Sequence, residues 1–167
     1  MTRQPWSILT FNDLTVGDEW ESARRTVTET DVVLFAGLSG DFNPLHVDHA
    51  WSQAGPFGRP VAHGLLGMSI ATGLVSQSLR VETIAFLAIL EWKFLHPIAF
   101  GDTIHAISKV EALAPHASGR RGLVTWHRRV LNQNGIVVQE GRTQTLVRAR
   151  SRENPIDPTT ESESPPR

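Results

Sequence analysis

The 167-residue chain contains no cysteine. Disulfides, thiolate nucleophiles, iron–sulfur clusters and cysteine-based zinc sites are therefore excluded, and any catalysis falls to oxygen and nitrogen groups. It also lacks an excess of either charge. Sixteen Lys and Arg stand against 17 Asp and Glu, a formal net charge of −1, so there is no broad basic field to draw the chain to nucleic acid or to an anionic membrane surface, and neither is expected as a partner. Long hydrophobic runs are missing too. The most apolar stretch, Gly64 to Val75, is about 12 residues against the roughly 20 that a spanning helix needs, and Ser76, Gln77 and Ser78 follow at once. It reads as a buried helix rather than a membrane anchor. The N-terminal run MTRQPWSILTFNDL carries no apolar segment leading to a small-residue cleavage site, so no secretory signal is read and a cytoplasmic location is the expectation.

What is present fits one domain of ordinary size, which buries about two thirds of the surface of its unfolded chain. From Ser151 onward the sequence is rich in proline and charge, with Ile156 its one large apolar residue; such a segment cannot repay the entropy of ordering. The expected organisation is a single domain over residues 1–150 and a disordered tail over 151–167. No internal repeat is visible, so any symmetry of the active protein must arise from association of chains.

Leu14 to Asp18 reads as a turn feeding a strand from about Glu19 to Val27. Thr28 stands three residues before Asp31, a capping-box-like start, and Val32, Phe35 and Ala36 then repeat at helical spacing, predicting a helix from about Glu29 to Leu38 stopped at Gly40. Pro44 forces a turn at Asn43, and a short helix is expected from about Val47 to Gln53. The segment from Gly64 to about Leu79 is apolar on nearly every side and carries small residues at Gly67, Ala71 and Gly73, as suits a central helix packed all round. Four strands follow, at about 83–95, 103–113, 123–133 and 136–148. Gly101-Asp102 and Ser118-Gly119 punctuate two gaps, and Asn134-Gly135 is a strong hairpin signal in the third. The order predicts an α+β fold with its helices segregated from an antiparallel sheet.

Functional density lies between Ser39 and Gly64, in SGDFNPLHVD followed by FGRPVAHG. Asp41 and His46 are five apart across a proline-containing turn, and such a turn can aim both side chains at one point. A carboxylate and an imidazole converging on one water suit hydration of an activated alkene, one group taking a proton from water while the other delivers one to carbon. Asn43, between them, holds the turn or orients the water. The enolate oxygen that develops on a thioester carbonyl needs a donor. The first amides of a buried helix have no intrahelical partner, and Gly64, where the central helix begins, also lets a carbonyl approach closely.

These motifs resemble the MaoC-like dehydratases, in particular the R-specific enoyl-CoA hydratases, over about Phe11 to Arg148. The carriers of the resemblance are Gly-Asp-x-Asn-Pro-x-His at 40–46 and the His-Gly at 63–64. The resemblance implies a single hot-dog fold, an antiparallel sheet wrapped around the helix from Gly64 to Leu79. It makes Asp41 and His46 the catalytic pair, Gly64 the oxyanion donor, and Thr72 a hydroxyl supporting the active-site Asp. It also implies reversible hydration of a (2E)-enoyl-CoA to an (R)-3-hydroxyacyl-CoA with no metal or redox cofactor, coenzyme A being part of the substrate, and a homodimer or dimer of dimers. Two alternatives stand beside it: a dehydratase of branched, dicarboxylic or carrier-protein-linked hydroxyacyl thioesters, and a non-catalytic acyl-CoA-binding subunit of the same fold.

Several residues carry plainer readings. In isolation, Asp41 after a helix-ending glycine is an Asx-turn residue. His46, His49 and His63 invite a metal reading, but the three-residue spacing of the first two, the missing HExxH pattern and the absence of cysteine argue against it. His49 reads as a solvated helix residue. His63 reads as fixing the approach to Gly64, with direct substrate contact as the alternative. Trp92, Phe94 and Phe100 read as core aromatics, with the lining of an acyl pocket as the alternative, and the Arg120-Arg121 and Arg128-Arg129 pairs as solvated charges, with contact to the phosphates of coenzyme A as the alternative.

Overall fold

The computed structural model describes residues 8–117 and 119–150; the expected tail over 151–167 lies outside the described residues. After a single 3-10 turn at Phe11–Asp13, the turn at Leu14 to Asp18 forms as expected, with Gly17 at a positive φ of 97°. The first expected strand is instead two short ones, β1 (Glu19–Glu21) and β2 (Arg25–Thr26). The break between them falls where Ser22 turns its hydroxyl to the Ala23 carbonyl and accepts the Ala106 amide.

Helix α1 (Glu29–Ser39) begins with the reciprocal Thr28–Asp31 capping box and ends at Gly40, whose φ of 77° is the left-handed conformation that glycine adopts without strain. The expected helix from Val47 is two shorter ones, α2 (Pro44–Val47) and α3 (His49–Gln53). Pro44 starts the first, having no amide hydrogen to lose. Asp48 ends it and caps the second through the Trp51 amide.

Helix α4 (Gly64–Ser78) is followed by β3 (Thr83–Phe94), β4 (Thr103–Pro115), β5 (Arg121–Leu131) and β6 (Val137–Arg148). The sheet is antiparallel in the order β1-β4-β5-β6-β3, with β2 also paired to β4. Asn134-Gly135 makes the β5–β6 turn, where Gly135 has a φ of 74° and the Asn132 side chain accepts the amides of Asn134 and Ile136. An antiparallel sheet lying against one long helix is the expected hot-dog arrangement.

The core forms where the inward residues of β4, β5 and β6 meet α4. Alternation is strict on β5, where Gly122, Val124, Trp126, Arg128 and Val130 are buried. Helix α4 buries Leu66, Met68, Ile70, Ala71, Leu74 and Val75. It is not wrapped all round, as its apolar sequence predicts: Leu65, Ser69, Gly73 and Gln77, four apart, form an open stripe, and nothing lies within 4 Å of a side chain added at Gly73. Gly67 does carry the expected close approach, against Gln139 and Ile98. None of the described helices is long and apolar enough to cross a membrane.

Trp126 anchors this core. It is 2% exposed, its Nε1 donates to Thr145 Oγ1 at 2.8 Å, and Trp20 packs edge-on against it. Trp126→Ala should cost about 3–5 kcal/mol, the range for a large aromatic cavity, read as a lower urea midpoint; a loss below about 1 kcal/mol would show that the sheet closes over the gap.

Candidate active site

The site is built where three chain segments meet the start of α4. The turn after α1 carries Asp41, whose carboxylate accepts the Asn43 amide at 3.2 Å while its own amide donates to Ser39 Oγ. Asn43 is the N-cap of α2, accepting the Leu45 amide at 3.0 Å, a cap worth about 1 kcal/mol. It therefore holds the turn, one of the two roles expected of it. His46 is the third residue of α2, so the turn and the helix together decide where its ring points.

The His46 ring is fixed from the other side. Val61 bridges to Ala99, and the Ala62 amide donates to the Ile98 carbonyl at 2.8 Å, so the segment before α4 is pinned to the loop after β3. The Val61 carbonyl accepts from His46 Nδ1 at 2.7 Å. A carbonyl only accepts, so Nδ1 carries the hydrogen and Nε2 of the neutral ring keeps its lone pair. That Nε2 lies 4.0 Å from Asp41 Oδ2. The two atoms are too far apart to bond directly and close enough for one water to bridge with ordinary hydrogen bonds of about 2.8 Å. Asp41 faces outward with 53% of its side chain exposed, and the His46 side chain keeps 12%.

His63 is the structural half of its two expected readings. Its side chain is 4% exposed, its Nε2 donates to the Asp41 backbone carbonyl at 2.9 Å, and its ring stacks on that of His46 with centroids 3.8 Å apart. It thus braces the backbone of one member of the pair and the ring of the other. Gly64, next in sequence, is the first residue of α4, and among the described residues its amide has no backbone acceptor. A Cβ there would meet the Phe94 ring at 2.8 Å, so a larger residue would have to push that ring aside.

Two further residues complete this corner, Gln139, which the sequence did not signal, and Phe94, for which a pocket lining was the alternative to a core reading. Gln139 is buried on β6; its Nε2 donates to the Gly64 carbonyl at 3.0 Å, and its Oε1 accepts from Trp92 Nε1 at 3.2 Å. Phe94, read as core, is half exposed and lines the cavity of about 460 Å³ that also contains His46, Gly64, Leu65 and Ile98. Trp92 and Phe100 do pack against the core as expected. A buried amide at an inward position of a strand was the available signal for Gln139, but it has meaning only once the register is known.

Two expectations fail on geometry. Within this chain Thr72 makes no hydrogen bond to Asp41 among the described residues: it lies eight residues along α4, about 12 Å of helix from Gly64. Its hydroxyl donates to the Met68 carbonyl at 2.9 Å, and it lines a different cavity. Arg128 is not a solvated charge but a buried one facing the core, whereas Arg120 and Arg121 are exposed as expected. His49 is solvated as read, paired with Glu29 at 2.7 Å and set against the edge of Phe100.

Asp41, His46 and His63 each bring a possible ligand atom within 4.8 Å of the others, the trio a metal ion would need. The hydrogen bonds argue against that use. Donating to the Asp41 carbonyl puts the hydrogen on His63 Nε2, and the remaining lone pair, on Nδ1, is buried without a partner. Only His46 and Asp41 therefore offer lone pairs to a common point.

Architecture and site together make this a hot-dog protein with a carboxylate–imidazole pair at the head of its long helix. The profile of the MaoC like domain matches residues 12–128. The chain is 34% identical to an (R)-specific enoyl-CoA hydratase of Rhodospirillum rubrum over 84% of its length and 92% of that protein's. It is 32% identical to the (R)-specific enoyl-CoA hydratase of Aeromonas caviae over 80% of its length and 95% of that protein's. A solved structure described as a monoamine oxidase regulatory protein from Archaeoglobus fulgius superposes with a TM-score of 0.81 at 37% identity, covering 86% of this chain and 97% of that one. The chain belongs to the MaoC-like domain family.

Proposed function

We propose that the protein catalyses the reversible addition of water to a (2E)-enoyl-CoA, giving an (R)-3-hydroxyacyl-CoA. The observation that carries this reading is the 4.0 Å gap between Nε2 of His46 and the Asp41 carboxylate, beside a helix whose first amide has no backbone acceptor among the described residues. Similarity to two proteins named (R)-specific enoyl-CoA hydratase supports the same substrate class.

In this mechanism the thioester carbonyl accepts from the Gly64 amide, which lies at the positive end of α4. A water held between Asp41 and His46 attacks the β-carbon. As the carbon–oxygen bond forms, the π electrons move through the α-carbon to the carbonyl oxygen and the water proton passes to the pair. The enolate collapses by taking a proton from the pair at the α-carbon, so water is added overall and nothing is oxidised. The thioester itself activates the β-carbon, and the reaction calls for no metal or redox cofactor.

Asp41→Asn and His46→Gln should each lower kcat on crotonyl-CoA by at least about 10² with the melting temperature nearly unchanged; near wild-type turnover by either variant removes that residue from the mechanism. In deuterated water, addition should be syn and give the R alcohol, since both bonds form on the face that carries the pair. An S product or anti addition would overturn the shared water. Dialysis against a chelator should leave the rate unchanged, whereas a loss restored by zinc would convert the Asp41–His46–His63 cluster into a metal site.

We also propose that the active form is a homodimer joined through β3. Among the described residues that strand pairs only with β6, its other edge being unpaired, and Ile84, Phe86, Leu87, Ile89, Leu90 and Phe94 along it are all about half exposed. A long apolar edge of this kind in a stable protein calls for a covering strand, and a second β3 supplies one across a two-fold axis. Leu87→Lys with Leu90→Lys should convert the dimer to a monomer on a sizing column; an unchanged elution volume would assign the interface elsewhere.

A further inference from the structure

Arg128 lies on β5 at the centre of the sheet, in register with Ser108 of β4 and Gly141 of β6, and only 8% of it is exposed. Its Nε is buried without a hydrogen-bond partner. Among the described residues no carboxylate pairs with its guanidinium, whereas Arg129, Arg142 and Arg148 each hold a glutamate on the outer face. Ser108 Oγ and Thr143 Oγ1, facing the same interior, are buried and unpartnered as well. Burial lowers the Arg128 pKa to about 10, so the side chain is still a cation at neutral pH. An unpaired charge in such a place is costly, and its position calls for an anion.

The space for one is present. Arg128 lines a cavity of about 490 Å³ with Thr72 and Val75 of α4, Phe86 of β3, Trp126 and Thr145. Among the described residues that line it, none is acidic. This cavity flanks the later turns of α4, whereas the cavity holding His46 flanks its first turn. Register shifts after Phe86 and after Ile89 keep Phe86, Ile89, Trp92 and Phe94 opposite Thr145, Thr143, Gly141 and Gln139, the inward residues of β6. On β3, Ile89 and Trp92 stand between the two cavities, which share no lining residue, and offer a chain a floor beside about 12 Å of α4.

Resting on the hydratase reading, we propose that the Arg128 cavity receives the distal carboxylate of the acyl chain, so that the enzyme acts on medium-chain enoyl-CoA substrates ending in a carboxylate. The thioester then lies at Gly64, the chain follows the floor of β3, and the carboxylate supplies the partner that Arg128 lacks. A free fatty acid offers the same chemistry, an apolar chain with one carboxylate, and is the competing source.

The test compares oct-2-enoyl-CoA with its ω-carboxy counterpart, oct-2-enedioyl-CoA, on the wild-type protein, Arg128→Met and Arg128→Lys. Wild type should favour the diacid ester in kcat/KM by at least about tenfold. Arg128→Met should erase that preference while keeping its rate on the plain ester, and Arg128→Lys should keep part of it. Loss of an unpaired buried charge should leave the melting temperature of Arg128→Met equal or higher. Calorimetric titration with saturated octanedioyl-CoA and with octanoate needs no turnover, so it reads the site even if no enoyl-CoA is hydrated and the hydratase reading falls. Tighter binding of octanedioyl-CoA than of octanoyl-CoA, lost in Arg128→Met, supports the proposal. Equal binding of the two esters, octanoate binding without any ester preference, or a uniform loss on both substrates with a lower melting temperature would each overturn it.

Discussion

The hydrogen bond from His46 Nδ1 to the Val61 carbonyl is the constraint on which the rest of the site depends. It decides which ring nitrogen keeps a lone pair, and it ties α2 to a segment that is itself pinned to the loop after β3. With that bond made, Nε2 lies 4.0 Å from the Asp41 carboxylate, and His63 closes the arrangement by stacking on the ring and holding the Asp41 backbone. The chemistry thus rests on irregular backbone segments, each anchored to the sheet at one or two points, with the long helix supplying the amide at their junction. This division is common in enzymes: the scaffold is regular and the reacting groups sit on the connections it fixes.

Local signals carried much of this into the sequence. Thr28 with Asp31, the left-handed Gly40, and Asn134-Gly135 act over a few residues, so their capping box, helix stop and hairpin follow from neighbours in the chain. Asp41, Asn43 and His46 were legible for the same reason, since one proline-containing turn holds all three. The places of Thr72, Gln139 and Arg128 were not, and that of Phe94 was open between core and pocket, because their neighbours come from distant strands or from the far turns of a helix. Gln139 and Arg128 read as ordinary polar strand residues until the pairing of β5 and β6 turns both toward the helix. Phe94 reads as core until the uncovered edge leaves it beside Gly64.

The bulges in β3 show how small departures from regularity carry function. In a regular strand, residues 86, 89 and 92 would fall on alternating faces. Each shift restores the inward direction, so aromatic and aliphatic side chains line up along the helix where a plain strand would scatter them. The same shifts push Leu87 and Leu90 outward, giving the edge an apolar surface on both of its sides.

The position of β3 in the chain also bears on how the protein is made. It leaves the ribosome soon after α4, yet among the described residues its strand partner is β6, which is synthesised after β4 and β5. The β4, β5 and β6 strands pair with neighbours in sequence and close quickly, whereas the β3–β6 ladder spans the whole meander and must wait. During that interval a long apolar strand is exposed on a growing chain, the condition in which association between nascent copies competes with completion of the fold.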